Sequence, residues 1–358
     1  MIICEGHNEF LEDRSYAAVK QIPGFVKMPL EIASRLRTYQ VLQSSLLGAM
    51  GAARKTTPPR TTLGPEVQAF LDFRGGLEAY HRDAGWRGSL ISHFDYNLRR
   101  MVGMASEAGV HVMLVSPVVN LDIPPFKSQH RADLTPEQLD RWTSLYDGAR
   151  SHYAGNLPAA IDLLEQALCI DDQHAGIHYG LAKCYQRLGL WNEAKLAFLR
   201  AKDEDVCPLR ILEPMRGIIR DVARESGTPP LDADALFASR SPGNIVGSDW
   251  LVDHVHPSIV GHQLLANALT ESMASQGVLN LNPHAAPDRD RMYREHFSTL
   301  DDAYFLMGQK RLGNQRLWSE GRGNQVWNPS PQAVEGPMYS VPTQAEATPL
   351  GVPDQTSL

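Results

Sequence analysis

Along residues 89–109, Leu90, Phe94, Leu98, Met101 and Ala105 return at intervals of three and four, with polar residues between them and Gly109 after them. That spacing predicts a helix with one apolar face and a glycine terminator. The next run, VHVMLVSPVVN (110–120), is nearly all apolar and rich in β-branched residues, so it predicts a buried strand. Helix, glycine and apolar strand in succession is the pattern of an α/β layered sheet. MIIC at 1–4, emptying into EGHNE, predicts a second buried strand. After residue 208 the pattern resumes. RILEPMRGIIRDVARESG (210–227) predicts a helix ending at Gly227, TPPLDADALFA (228–238) a short strand and turn, and PSIVGHQLLANALTESMAS (257–275) a closing helix. Pro29 opens a predicted helix over 29–50, and TTPPRTTLGP (56–65) reads as loop. Tyr293, Phe297, Leu300, Tyr304 and Met307 mark one face of a predicted helix over 289–312 that would dock on the core. From about residue 325 the chain is rich in proline and polar residues and predicts a disordered tail.

Between the two layered stretches lies an internal repeat. Ala160, Leu164 and Ala167 recur as Ala194, Phe198 and Ala201, and Gly155 as Gly189, each 34 residues later. Small residues let paired helices approach closely, while Leu164 and Phe198 fill the groove between them. A 34-residue period with this pattern is the tetratricopeptide signature. The copy at 178–201 is the stronger; the one around 141–174 is weaker at its start. Two copies fall short of the three or so an independent array needs, so the pair is expected to lean on a neighbouring domain. The organisation read from this pattern is an α/β part at 1–135, the helical insertion at 136–208, a second α/β part at 209–280, a helical extension at 281–324 and the tail at 325–358.

Composition sets the outer bounds. At 43% apolar and 21% charged residues, the 358-residue chain can bury a real core. A net charge of −7 without any basic block gives no footprint for nucleic acid. Cys4, Cys169, Cys184 and Cys207 lack paired-ligand spacing, which argues against a zinc ribbon or disulfide scaffold. MIICEGHNEF is not a signal peptide, and the longest apolar stretch, 41–53, is too short to span a bilayer, so the default expectation is a cytoplasmic chain.

Chemistry concentrates at two places. Asp253 and His256 stand three apart in SDWLVDHVHPSIVGHQ (248–263), with Pro257 starting the following helix. A histidine base needs a partner on its second ring nitrogen to fix its tautomer, and Asp-x-x-His on a turn supplies both groups from one segment. The same residues also read as a helix-capping aspartate beside a surface histidine. At the end of the first predicted strand, the Gly6 N–H and the Asn8 amide would converge as two donors of an oxyanion hole; they equally fit an ordinary Gly-x-Asn turn. A third reading gathers Asp253, His254, His256 and His262, with His7 near, as a metal site, but His254 and His256 flank one residue of a turn and diverge. No metal and no cofactor is therefore expected.

Taken together, Gly-x-Asn after one strand and Asp-x-x-His-Pro after the last strand resemble two signature segments of the SGNH (GDSL-like) hydrolase family. NLDIPPFKSQH (120–130) is similar to a segment of the branch that carries a tetratricopeptide insertion. The resemblance covers roughly 1–130 and 205–275. It implies a flavodoxin-like three-layer α/β/α fold and hydrolysis of acyl or carbohydrate esters, with His256 as base, Asp253 as its orienting acid, and Gly6 and Asn8 as oxyanion donors. Glu9 stands where many members have aspartate. The family's serine nucleophile precedes its Gly-x-Asn segment, which here begins at residue 6. The resemblance therefore implies an N-terminally shortened, incomplete sheet that lacks the serine and is weakly active or inactive. Gly-Ser-Leu at 88–90 and Ser116-Pro117 are in the wrong places to substitute. Enzyme status stays open at this point. The alternative is a non-catalytic scaffold that binds a protein partner through its repeats.

Overall fold

The computed structural model describes residues 1–10, 77, 80–281, 285–304, 306, 308 and 313. The predicted helix at 29–50, the loop at 56–65 and the tail from 325 lie outside the described residues. Three strands, β1 (Ile2–Ile3), β2 (Met113–Ser116) and β3 (Leu231–Asp232), run parallel in the order β1-β2-β3. Ile2 pairs with Met113 and Val115 with Leu231.

The expected flavodoxin-like α/β/α sheet is not what forms. The described residues are 60% helix and 4% strand, with a small three-strand sheet. The reason is visible in β2, where an eleven-residue apolar run yields a strand of four residues. Pro117 carries no N–H and cannot continue the ladder, so the apolar residues beyond it leave the sheet as a buried loop.

Helix α1 (Ala84–Glu107) starts at Asp83, whose carboxylate accepts the Trp86 N–H, and Gly109 follows it with φ +66°. Its buried face is Leu90, Phe94, Leu98, Val102 and Ala105. The expected Met101 is exposed instead, because from Leu98 the stripe continues by four residues to Val102. That face packs with Met215, Ile219, Val222 and Ala223 of α6 (Glu213–Ser226), around Ile3 and Leu114 of the sheet. Met113 and Val115 point the other way, toward Leu265, Leu269 and Met273 of α8 (Ile259–Ser275). The short α7 (Ala233–Ala238) follows β3 directly.

Four consecutive helices separate β2 from α6: α2 (Pro136–His152), α3 (Leu157–Leu168), α4 (Ala175–Arg187) and α5 (Trp191–Asp203). The six alanine, leucine and phenylalanine positions of the repeat are buried at 3% exposure or less, while Gly155 and Gly189 are exposed. Ala160, Leu164 and Ala167 pack with Trp142, Ile177 and Leu181, whereas Ala194 and Phe198 join the main core beside Ile211 and Leu212. The helical pair thus shares its apolar interior with the part of the chain that bears the sheet. Helix α9 spans Ala285–Ser298. Tyr293, Phe297 and Leu300 are half-buried and Tyr304 is exposed; among the described residues none of the four enters a core cluster, and Met307 lies outside the described residues.

Candidate functional site

The segment 247–258 is a turn with no strand of its own, braced by a single antiparallel bridge between Leu251 and Pro257. The Val252 N–H donates to His256 O and the Ser258 N–H to Trp250 O. The turn therefore follows a loop rather than the last strand. Pro257 belongs to the bridge, and Ser258 caps α8 by accepting the Gly261 N–H. Inside the turn, His256 Nδ1 stands 2.6 Å from Asp253 Oδ2. The second carboxylate oxygen accepts the Val255 N–H at 2.8 Å and the His256 N–H at 2.7 Å. Asp253 is buried, while the His256 side chain is 64% exposed.

Burial alone would raise the Asp253 pKa. The His256 bond, the His254 charge and the two backbone N–H groups outweigh it and bring the value down to about 2. His256 is raised, first by its bond to Asp253 and against a desolvation penalty. An ionised carboxylate thus holds the Nδ1–H tautomer and leaves Nε2 as the nitrogen that takes up a proton.

His254 is turned inward, edge-on to Phe126 at 5.1 Å, and burial lowers its pKa to about 4. His7, in the loop after β1, accepts the Ile211 N–H at Nδ1. Burial lowers its pKa to about 3, and the positive charges of Arg216, His254 and His256 push it the same way. The β1 loop and the acid–imidazole turn are therefore close enough to feel one another's charge. Gly6, buried with φ +127°, lets the chain pass Ile211, whose Cδ1 would lie 2.6 Å from any added Cβ. Asn8 is exposed. Of the serines weighed above, the Ser116 hydroxyl is buried and accepts from Arg216, and the Ser89 hydroxyl donates to Trp86 O on α1. His262 sits in the first turn of α8, its pKa lowered by burial and by His256. Among the described residues no three His, Cys, Asp or Glu side chains converge as a metal's ligand set would.

Sequence reasoning missed the residues beneath the turn. Asn120 is fully buried. Its N–H donates to His254 O at 3.0 Å and its Nδ2 to Asp253 O at 3.1 Å. Asp205 and Arg210 form a buried pair 3.6 Å apart, and Arg210 donates to Asn120 O and Ile123 O. No local spacing announces the contacts Asn120 makes with Asp253, His254 and Arg210. The only signal was a polar Asn at the end of an apolar run.

A family model described as tetratricopeptide repeat matches residues 152–206. No SGNH or GDSL hydrolase family model matches. No curated protein and no solved structure matches the chain.

Proposed function

We propose that this chain is a protein-interaction scaffold whose tetratricopeptide helices recognise a partner polypeptide. The observation that carries the reading is the repeat match over 152–206 on helices that are fully packed and share the main core. Stacked helix pairs of this kind offer extended surface to a peptide. Apolar side chains stay exposed on them and on the turn that joins α4 to α5: Leu196 is 69% accessible, and Leu188 and Leu190 in the turn are 43% and 42% accessible. A displayed peptide library panned on the full chain tests the idea. Enriched peptides are expected to compete with one another and to lose binding at least about tenfold to Leu196→Asp, a surface change that leaves unfolding within about 0.5 kcal/mol of wild type. A library that yields no peptide sensitive to changes on these helices overturns it.

A second reading has one specific observation in its favour, the 2.6 Å Asp253–His256 bond. The pair has the composition and tautomer of the acid–base half of an ester hydrolase, acting on a small acyl or carbohydrate ester. In this reading Gly6 and Asn8 furnish the oxyanion donors, and without the family's serine these groups support at most weak residual hydrolysis. The expected result with p-nitrophenyl acetate is weak turnover above background that His256→Ala abolishes. Turnover indifferent to His256, or none at all, removes the reading.

A further inference from the structure

The loop that leaves β2 is gripped from both sides. On one side it is held by the repeat: Tyr179 Oη donates to Asp122 O at 2.8 Å, and Lys183 Nζ pairs with Asp122 Oδ1 at 2.7 Å. Just past α5, Asp205 accepts the Phe126, Lys127 and Cys207 N–H groups. On the other side it holds the acid–imidazole turn. Asn120 commits every polar heavy atom it has: N–H to His254 O, Nδ2 to Asp253 O, Oδ1 to the Asp122 N–H, and O to Arg210. Phe126 sits between Arg210, 5.8 Å above its ring, and the edge of His254. A fully buried amide with all its groups engaged has a single low-energy orientation, since turning it leaves buried donors and acceptors unpaired at about 1–3 kcal/mol each.

We propose that Asn120 is the positioning residue of the Asp253–His256 pair, and that residues 120–127 form a strap fastening that pair to the helical repeat. The proposal rests on the second reading above for the pair's chemical use, but not for its geometry. Asn120 fixes two successive carbonyls, those of Asp253 and His254, immediately after the acid in the turn. Without it the turn keeps its local bonds but loses its seat on the sheet, and the carboxylate no longer meets the imidazole in one fixed geometry.

The test is an NMR titration of the full chain with labelled histidine, following His256, whose charged surroundings are Asp253, His254, His7 and His262. Asp253→Asn is expected to shift the His256 midpoint down toward that of free imidazole. Asn120→Ala, folded by circular dichroism, is expected to shift it in the same direction. An Asn120→Ala midpoint coincident with wild type overturns the positioning role. An Asp253→Asn midpoint coincident with wild type removes instead the pair itself, which is a separate failure, and absence of esterase activity touches neither result. Should Asn120→Ala not fold, amide exchange in the wild-type chain decides. The Asn120 and His256 amides are expected to open together, with protection factors within about threefold. A His256 amide more than about tenfold less protected than that of Asn120 overturns the proposal.

Discussion

Asp253 shows how a single side chain can be committed to one ionisation state. Its carboxylate collects two backbone N–H bonds and one imidazole in a site that would otherwise favour the neutral acid. Because its pKa in the folded chain lies near 2, below the ordinary value of 3.8, it stabilises the fold above about pH 4 and loses that contribution as pH falls toward 2. A shift of that size corresponds to about 2 kcal/mol. His256 reports the same bond from the other side: its raised pKa adds stability at pH values below its ordinary range and loses it as pH rises through the folded value, so the energy counts once. Asp253→Asn is expected to flatten the acid limb by about 2 kcal/mol between pH 4 and 2, measured as urea unfolding free energy at each pH. An acid limb unchanged in the variant would show that the carboxylate is solvated rather than held.

At the scale of elements, the turn depends on how closely α8 approaches it. Gly261 lies in the first turn of that helix, where an added Cβ would come 2.6 Å from Trp250 O and 2.9 Å from Pro257 Cβ. Both neighbours belong to the bridge that braces Asp253 and His256. Gly261→Ala is therefore expected to destabilise the fold by about 1–3 kcal/mol and to move the His256 resonances. Gly103→Ala in α1, where nothing lies within 4 Å, serves as the neutral control. The repeat helices were legible in the sequence because their small and large residues recur at a fixed period, and the alanine, leucine and phenylalanine positions of that period are buried. The Asp-x-x-His turn was legible for the same kind of reason, since both partners sit within four residues. Strand length was not legible. Hydrophobicity marks 110–120 as buried but is blind to whether a backbone pairs or merely passes through the core, and Pro117 decided that. The seat of the turn was also hidden, because Asn120, Arg210 and Asp253 are brought together by the fold alone.

For the whole molecule, the consequence of burying so many imidazoles is a dependence on pH. Burial holds His7 near 3, and His174 and His254 near 4, with neighbouring positive charge adding to the effect. Each is a base whose pKa in the folded chain lies below its ordinary 6.5, so the unfolded chain takes up the proton first and stability falls as pH drops through about 6.5. Asp205 acts in the opposite sense. Burial pushes it up to about 6, with Arg210 and three backbone N–H groups holding it down, so the folded chain gains relative stability from about pH 6 toward pH 4. One carboxyl offsets one imidazole over that interval and leaves two uncompensated. Each of these costs up to about 1.4 kcal/mol per pH unit while the unfolded chain is charging and the folded chain is not. Against a typical total of about 5–15 kcal/mol, that loss over about two units reaches the lower end of the range. The urea midpoint is therefore expected to drop steadily between pH 7 and pH 5. Equal midpoints at pH 7 and pH 5 would mean that the imidazoles between the repeat and the sheet are open to water, and that the shared interior is far looser than its packing indicates. A steady fall that His254→Asn and His174→Asn each make shallower would locate the acid sensitivity at the acid–imidazole turn and at the repeat, the two ends the strap joins.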